Sequence, residues 1–286
     1  MACRQRLASA FLNDFSAAGA EFPLTPGPTK TSQTITVTQS APASAEFGSV
    51  FYVEATATSG LTVDITVSGV CFMFNPGEVT ILSGTGECTI TFAQAGDIDF
   101  EAAPTIEETT IAVKLPQTIT VTQTPPPTAE FNSSFNVAAV APGGAVSIGA
   151  SGACSLSADT VTMTSATGTC VTTFDQPGDS NFLPAPQVTH ATGAGKASQV
   201  ITIVQGAPET ATFMKGQRDF PLIATAPGGP VEISASGPCT YSDRTGTLTM
   251  KKPGVRQGNI CTVTYDQGGN ANYYPAPQVV QTTVVQ

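Results

Sequence analysis

Apolar and polar residues alternate along most of this chain, and a period of two residues is typical of β-strands with one buried face. In residues 51–57 every second side chain is Phe, Val or Ala, so one face of a strand would enter a core. The same alternation predicts strands at residues 79–81 and 88–92. No apolar run approaches the roughly 20 residues that cross a bilayer as a helix. The pattern therefore predicts short strands and no membrane insertion.

This strand pattern occurs three times. Residues 33–39 read QTITVTQ and return as QTITVTQ at 117–123 and as QVITIVQ at 199–205. The segment CTITFAQAGDIDFEAAP, which begins at Cys88, returns as CVTTFDQPGDSNFLPAP and as CTVTYDQGGNANYYPAP. Self-similarity at a fixed period indicates repeated structural units. We predict three modules, called modules 1, 2 and 3 below, at residues 32–114, 115–196 and 197–286.

The segment 1–31 stands outside the repeat. Leu7, Phe11, Leu12 and Phe15 would share one face of a helix, and three prolines follow them. Two arginines precede a short apolar stretch, but polar residues interrupt it before a secretory signal is complete. We expect a short helix or a disordered linker and no intact signal peptide.

Each module should contain six or seven short strands, because the opening strand, the alternating strands, a strand before Ser-Gly-x-Cys and a closing strand all recur. Turn signals separate these strands at residues 59–60, 142–144 and 227–229, and we interpret the Gly-rich stretches at 143–144 and 228–229 as hairpin connections. Short strands with regularly spaced turns favour a β-sandwich. The predicted fold class is all-β, with three sandwich modules in tandem.

Three motifs carry a more specific resemblance. They are the Gln-Thr-Ile-Thr opening, the Ser-Gly-x-Cys and Gly-x-Cys pair, and Gly-Asp-x-Asn-Phe followed by Ala-Pro-Gln-Val in module 2. Over about residues 32–286 the chain resembles bacterial immunoglobulin-like (Big-type) tandem repeats of large surface and secreted proteins. The resemblance implies Ig-like modules arranged as beads on a rod, acting as a spacer, stalk or adhesin arm without catalysis. Two features depart from antibody domains: Cys71 follows a middle strand, and the chain has no Trp.

The cysteines also follow the repeat. Cys3 lies outside it, and each module contains two others. Pairing within each module is the simplest solution, and the predicted disulfides join Cys71 to Cys88, Cys154 to Cys170 and Cys239 to Cys261. Buried free thiols in a reducing cytosol are the alternative. Because disulfides persist in oxidising compartments, the pairs predict an extracellular or cell-surface protein.

Charge narrows the range of partners. Eleven Lys and Arg residues stand against 21 Asp and Glu, a formal net charge of −10. Such a field repels phosphate backbones, so a nucleic-acid partner is not expected. With no Trp and only five Tyr, no platform for stacking sugars is evident. We expect a monomeric rod, and an unknown surface ligand or a glycan is left open as a partner.

The repeated Asp and Asn pairs admit two interpretations. Asp97 with Asp99, and Asp179 with Asn181, could offer oxygen ligands to Ca²⁺. The module 3 pair is Asn270 with an asparagine two residues later, so carboxylates disappear along the repeat while the ability to cap a turn is retained. The sequence therefore favours a structural turn, with a weak calcium site in module 1 or 2 as the alternative and no other cofactor.

Two further features could carry function. Lys251, Lys252 and Arg256 lie in an enlarged loop between the cysteines of module 3, which is a candidate contact loop or a simple variable loop. His190 is the only histidine and falls on the closing strand of module 2, where we expect an exposed side chain. No repeated nucleophile accompanies it, so no catalytic residue is assigned.

The sequence as a whole predicts a non-enzymatic extracellular spacer that is part of a larger surface or secreted protein. An adhesin or carbohydrate-binding module is one alternative, and an accessory region of a secreted enzyme is another.

Overall fold

The computed structural model describes residues 29–214, 216, 218–254 and 258–286. Over these residues the chain forms 27 strands and no helix, so the all-β prediction is confirmed. The predicted helix or linker before residue 29 lies outside the described residues. In the part of the chain described, no helix has the length and apolar character needed to cross a membrane.

Each module contributes nine strands. The strands of module 1 are β1 Ile35–Gln39, β2 Ser44–Glu46, β3 Val50–Tyr52, β4 Glu54–Ala57, β5 Asp64–Gly69, β6 Cys71–Asn75, β7 Glu78–Ile81, β8 Glu87–Ala93 and β9 Ile106–Val113. Those of module 2 are β10 Thr120–Gln123, β11 Thr128–Glu130, β12 Ser134–Asn136, β13 Ala138–Val140, β14 Ser147–Gly152, β15 Cys154–Ser157, β16 Thr160–Met163, β17 Thr169–Asp175 and β18 Val188–Gly195. Those of module 3 are β19 Thr202–Gln205, β20 Thr210–Ala211, β21 Asp219–Pro221, β22 Ile223–Thr225, β23 Glu232–Ser236, β24 Cys239–Ser242, β25 Thr247–Met250, β26 Ile260–Asp266 and β27 Val279–Val285.

The strands of modules 2 and 3 pair in the same order. In module 2 a four-stranded sheet has the order β11-β18-β17-β14, a three-stranded sheet the order β12-β16-β15, and β10 pairs with β13. The corresponding orders in module 3 are β20-β27-β26-β23, β21-β25-β24 and β19-β22. Pairing is antiparallel except where β11 meets β18 and β20 meets β27. In module 1 the pairs β1–β4, β3–β7, β5–β8 and β2–β9 repeat this scheme.

The chain divides into two compact units. The first contains the described residues up to Ala43, together with Val50–Thr80 and Cys88–Thr110. The second contains Ser44–Ser49, Ile81–Glu87 and Ile111–Gln286. Modules 2 and 3 therefore belong to one unit, which also includes three short segments of module 1, namely Ser44–Ser49, Ile81–Glu87 and residues 111–114.

The strand count exceeds the predicted six or seven because β2 and β6 were not predicted, and because the strand predicted at residues 51–57 changes partners and forms two strands, β3 and β4. Residues 51–57 do alternate inward, but Phe51 pairs with Val79 whereas Ala55 pairs with Val37. The change occurs at Val53, which is 1% exposed and donates its amide to the carbonyl of Gly77 at 2.9 Å. Periodicity reports which face is buried, but it does not report which neighbour a strand pairs with.

The hairpin interpretation of the Gly-rich turns was wrong. The turn at residues 142–144 closes with a 3.2 Å hydrogen bond from the Gly144 amide to the Ala141 carbonyl. It connects β13 to β14, and these strands belong to different sheets. The turn at residues 227–229 joins β22 to β23 in the same way.

A disulfide crosses each core. Cys154 lies on β15 and Cys170 on β17, so the bond joins the two larger sheets of module 2. Cys239–Cys261 does the same in module 3, and Cys71–Cys88 forms in module 1. The three predicted pairs are thus the pairs present, with Cα–Cα distances of 5.3 to 5.6 Å.

The glycine of the Ser-Gly-x-Cys motif is required for steric reasons. Gly152 has φ +84°, and a Cβ atom there would lie 2.2 Å from the Thr169 carbonyl oxygen. A side chain cannot fit where β14 passes this close to the start of β17. The motif therefore reflects a close backbone approach beside the disulfide.

Candidate functional site

The repeated Asp and Asn pairs form turns, here called the junction turns, at residues 97–100, 179–182 and 270–273. Asp97 Oδ1 accepts the amides of Asp99 and Phe100, both at 2.9 Å. Asp179 Oδ1 accepts the equivalent two amides at 2.7 and 2.8 Å, and Asn270 Oδ1 does so at 2.7 and 2.9 Å. Either an amide or a carboxylate oxygen can make these bonds, which explains why Asp and Asn exchange at the first position.

A glycine lets the chain enter each junction turn. Gly178 has φ +79°, and a Cβ atom on it would lie 2.5 Å from the Phe182 carbonyl oxygen. Gly96 and Gly269 have the same sign of φ and the same obstruction. The glycine before each Asx residue is therefore a steric requirement of the turn.

Two glutamines hold each junction turn, and sequence reasoning missed their role. In module 2, Gln117 and Gln176 are 6% and 4% exposed. Gln117 Nε2 donates to Gln176 Oε1 and, at 2.7 Å, to the Leu183 carbonyl oxygen. Gln176 Oε1 also accepts the Gly178 amide at 2.6 Å, and Gln117 Oε1 accepts the Gly143 amide at 2.8 Å. Because buried amide groups need hydrogen-bond partners, this network fixes the turn against the rest of the module.

The same glutamine pair occurs in the other modules, as Gln33 with Gln94 and as Gln199 with Gln267. The sequence signal was present, since Gln33, Gln117 and Gln199 open the repeated heptapeptide. We used these residues only to mark module boundaries. A glutamine at a fixed place in every repeat, beside apolar alternation, indicates a buried polar partner.

Each junction turn is also bonded to the residue at which the chain enters the module, which is the first residue of modules 2 and 3 and, for module 1, Thr31 immediately before it. Ala197 donates its amide to the Asn272 carbonyl at 2.9 Å, and its own carbonyl accepts the Tyr274 amide at 3.0 Å. Leu115 makes the same two bonds to Asn181 and Leu183 at 2.9 and 3.0 Å. Thr31 makes them to Asp99 and Glu101 at 2.8 and 2.9 Å. The chain is therefore attached to the turn as soon as it enters the module.

The junction turn of module 3 contacts module 2. Asn272 Oδ1 accepts the amide of Ala166 at 3.2 Å. The ring of Tyr273 meets Phe131 edge to face, with centroids 5.4 Å apart. Lys196 Nζ donates to the Asn270 carbonyl at 2.6 Å. Since β18 ends at Gly195, only Lys196 separates the last strand of module 2 from a fixed contact in module 3.

Within the second compact unit, the junction turn of module 2 makes the equivalent contacts. Asn181 Oδ1 accepts the amide of Gly84 at 3.1 Å, and Phe182 meets Phe47 edge to face at 5.6 Å. The second Asx residue and the aromatic residue of the motif thus reach toward the preceding segment.

Calcium binding at Asp97, Asp99, Asp179 and Asn181 stays a hypothesis. The first residue of each pair uses one oxygen to cap the turn, and Asn181 uses its side-chain oxygen to accept the Gly84 amide. Among the described residues, no three His, Cys, Asp or Glu side chains gather in a way that could hold a metal ion.

Lys251 and Lys252 are exposed, and Arg256 lies outside the described residues. A contact role for this loop stays a prediction. His190 lies on β18 as predicted, but it is half-buried and its ring meets Phe174 edge to face at 6.1 Å. The expectation of an exposed side chain was wrong because His190 lies opposite the buried Thr172, on the face of the sheet that also carries Phe174.

An exposed aromatic surface occurs on module 1, and sequence reasoning missed it. Tyr52, Phe72 and Phe74 are 55%, 48% and 72% exposed, on β3 and β6 of one sheet. The rings of Phe72 and Phe74 meet edge to face at 4.7 Å. The polar residues Asn136, Ser155, Ser157, Thr240 and Ser242 take corresponding places in the other two modules. We had looked for Trp and Tyr, whereas two of these rings are Phe.

Comparison with known proteins gives no family. No protein-family model matches the chain, and no curated protein matches it. Solved structures that share some likeness include domains 3–6 of protocadherin gamma B2, with 13% identity, a TM-score of 0.27, and coverage of 89% of this chain and 77% of that one. Immunoglobulin domains 1–5 of Sidekick-1 give 11% identity and a TM-score of 0.29, over 91% and 60% of the two chains. Human CDH23 domains EC21–23 give 12% identity and 0.29, over 90% and 97%. Likenesses this loose carry no argument about function.

Proposed function

We propose that this chain is a non-enzymatic extracellular spacer built of immunoglobulin-like repeats of the bacterial surface type, and that it forms part of a larger surface or secreted protein. The observation that carries the proposal is the junction between modules 2 and 3. A spacer has to transmit position from one end to the other, so successive modules need a defined orientation. Asn272, Tyr273 and Lys196 make three different contacts across that junction.

The junction is short, and that favours a fixed orientation over free rotation. A flexible linker would require several residues without hydrogen bonds, but Ala197 is already paired through both its amide and its carbonyl. The edge-to-face pair of Phe131 and Tyr273 contributes about 0.5 to 1.5 kcal/mol beyond the area that it buries. Each contact is modest, and their sum restrains the angle between the modules.

The extracellular setting rests on the disulfides. Three bonds, each within one module, are typical of proteins that fold in oxidising compartments. Exposed charged and polar side chains would keep the outer faces in water. A spacer of this kind presents or separates other domains and needs no catalytic group.

The spacer proposal is tested by measuring whether modules 2 and 3 tumble together. ¹⁵N relaxation on the full chain should give the two modules one common rotational diffusion tensor. The Asn272→Ala/Tyr273→Ala variant should separate their diffusion tensors, because it removes two of the three contacts. Ala271→Ser, at the exposed middle of the same turn, is the control and should change nothing. Independent tumbling in the unmodified protein would contradict the proposal.

A second candidate function is adhesion to a glycan through Tyr52, Phe72 and Phe74. Exposed aromatic rings can stack on the apolar faces of sugars, and polar residues or proline replace these rings in modules 2 and 3, which makes the surface specific to module 1. This moves the adhesive candidate away from the lysine loop of module 3. Asn75 and Glu78 lie at the same end of the sheet and are hydrogen-bonded to each other at 2.6 Å.

A glycan array with the full chain distinguishes the two adhesive surfaces. Binding that is lost in Phe72→Ser/Phe74→Ser and kept in Lys251→Ser/Lys252→Ser would place adhesion on module 1. The reverse result would place it on the lysine loop. No binding by the unmodified chain would remove the adhesive candidate and leave the spacer proposal standing.

A further inference from the structure

The junction turn of module 1 has the parts of a docking surface. Asp97 caps it, Thr31 is attached to it, and Asp99 and Ile98 are exposed, with Ile98 78% exposed. The second Asx residue and the aromatic residue of the two other junction turns contact the end of a preceding module. In module 1 these residues are Asp99 and Phe100. The turn is therefore built in the conformation that modules 2 and 3 use for contact.

The residues that receive a junction turn can be identified in every module. The amide that bonds the second Asx residue belongs to Ala166, three residues after Met163. Gly84 has the same role three residues after Ile81. The position three residues after Met250 is Pro253. The residue of module 3 that corresponds to Phe131 is Phe213, which is half-buried against the core of module 3 and lies two residues after Ala211, as Phe131 lies after Ala129.

Pro253 removes a hydrogen-bond donor from the end of module 3 that corresponds to the receiving ends of modules 1 and 2. Proline has no N–H, so module 3 cannot offer the backbone donor that Gly84 and Ala166 offer. Lys251 and Lys252 immediately precede it, and both are exposed. Lys251 keeps the equivalent backbone position, since its amide donates to Pro238 at 2.7 Å as that of Thr164 donates to Ala153 at 2.9 Å. Two exposed lysines thus lie within two residues of the position at which the other modules present an amide.

The junction turn of module 1 carries an acidic side chain that complements the lysines of module 3. Its second Asx residue is Asp99, whereas the junction turns that meet backbone amides have Asn181 and Asn272. Asparagine and an amide make a neutral hydrogen bond, while aspartate and lysine make a charged one. The acidic junction turn and the basic receiving end belong to the first and the third module of the same chain.

We propose that module 1 of one chain docks head to tail on module 3 of a second copy. In this contact Asp99 pairs with Lys251 or Lys252, and Phe100 packs on Phe213 in the manner of Tyr273 on Phe131. The contact uses different surfaces on the two copies, so it can be repeated from chain to chain. It adds to the spacer proposal without depending on it, because the junction between modules 2 and 3 is unaffected by whether copies associate.

The association should be weak and sensitive to salt. Two modules joined in one chain meet at an effective concentration of about 1 mM. Module 1 and module 3 of separate chains have no such connection, so they should associate only when the protein concentration approaches that value. Exposed charge pairs are screened over about 8 to 10 Å at physiological ionic strength. Sedimentation equilibrium on the full chain should show an average mass that rises with protein concentration at 20 mM salt or so and falls again near about 0.5 M.

Charge exchange between two variants tests the pairing. Asp99→Lys makes both ends of the chain basic, and Lys251→Asp/Lys252→Asp makes both ends acidic. Neither variant should associate alone, whereas an equimolar mixture should recover the association of the unmodified chain. Asp97 is left in place because it caps the turn. Asp159→Lys, at an exposed turn of module 2, is the control for net charge and should associate normally.

The contact itself can be located by carbodiimide cross-linking of ¹⁵N-labelled and unlabelled chains in a mixture. The expected product joins a peptide containing Asp99 to one containing Lys251 or Lys252, with one peptide labelled and the other unlabelled. The proposal is overturned if the unmodified chain stays monomeric at about 1 mM, if the mixed variants fail to associate, or if cross-links join other ends. None of these outcomes would alter the relaxation result expected for modules 2 and 3.

Discussion

Thr172 places a hydroxyl group in the core of module 2. Its side chain is fully buried on β17, and its Oγ1 has no hydrogen-bond partner. The corresponding residues, Ile90 and Val263, are apolar. By contrast, the equally buried Thr192 donates its hydroxyl to the Pro126 carbonyl at 2.7 Å. Buried polar groups are costly when they lack a partner, so Thr172 is a local weakness of module 2.

Thr172→Val should stabilise module 2 by about 1 to 2 kcal/mol, because it keeps the shape of the side chain and removes an unpaired polar group. Native-state hydrogen exchange resolves the effect within module 2. Thr173→Val, on the opposite face of the same strand, is the control and should be nearly neutral. A loss of stability in Thr172→Val would mean that the hydroxyl has a partner.

Tyr265 predicts how module 3 responds to alkaline pH. Burial raises the pKa of this phenol above its ordinary value near 10, and its hydroxyl donates to Gln281 Oε1 at 2.8 Å. The folded state holds the proton more tightly than the unfolded state. This difference in proton binding therefore stabilises module 3 fully below about pH 10. The stabilisation is lost as the pH rises through the pKa that Tyr265 has in the folded state.

Phe92 and Phe174 occupy the equivalent positions, so Tyr265→Phe should fold. It should cost about 1 kcal/mol at neutral pH and flatten the fall in melting temperature above about pH 10. Tyr241, whose pKa is raised by burial and by Asp243, is a second source of this dependence, so Tyr241→Phe is measured beside it. An unchanged alkaline slope in both variants would show that these phenols are not responsible.

At the scale of elements, each disulfide joins two short strands. The strands β15 and β17 of module 2 have only four and seven residues and lie in different sheets. The bond closes a loop with a sequence separation of 16 residues. Small sandwiches with short strands bury limited apolar surface, so restriction of the unfolded chain is a large part of their stability.

Replacing both Cys154 and Cys170 by alanine should destabilise module 2 by about 3 kcal/mol, the value for a loop of this length. Hydrogen exchange should show the loss in β14 to β17 and leave module 1 unchanged. The Cys3→Ala chain is the control, since Cys3 lies outside the repeat. Equal losses in all modules would show instead that the disulfide in module 2 supports the whole chain.

At the scale of the whole molecule, the junction turns connect the glutamine network of one module to its neighbour. Gln199 accepts the Gly228 amide at 2.7 Å and donates to the Tyr274 carbonyl at 2.6 Å. The amide of Tyr274 donates in turn to the carbonyl of Ala197, the residue that follows Lys196. A buried network inside module 3 therefore positions the residues that contact module 2.

Inserting Gly-Ser-Gly-Ser between Lys196 and Ala197 should separate the unfolding of modules 2 and 3. The added residues let the chain leave the turn, so the amides of Ala197 and Tyr274 should lose their protection from hydrogen exchange. The same insertion at residue 216, in an exposed turn of module 3, is the control. Retained protection at both amides would mean that the turn holds its contacts without a short connection.

The sequence by itself determined the all-β fold class, the threefold repeat, the disulfide pairs and the capped turns. These follow from local rules: alternation reports a buried face, and Asp or Asn after a glycine reports a turn whatever surrounds it. Only the tertiary structure decided that the strand at Val53 changes partners, that Gln117 and Gln176 meet in the core, and that Asn272 and Tyr273 reach module 2. The physical reason is distance along the chain, because Ala166 and Asn272 are separated by 106 residues and no local pattern specifies their contact.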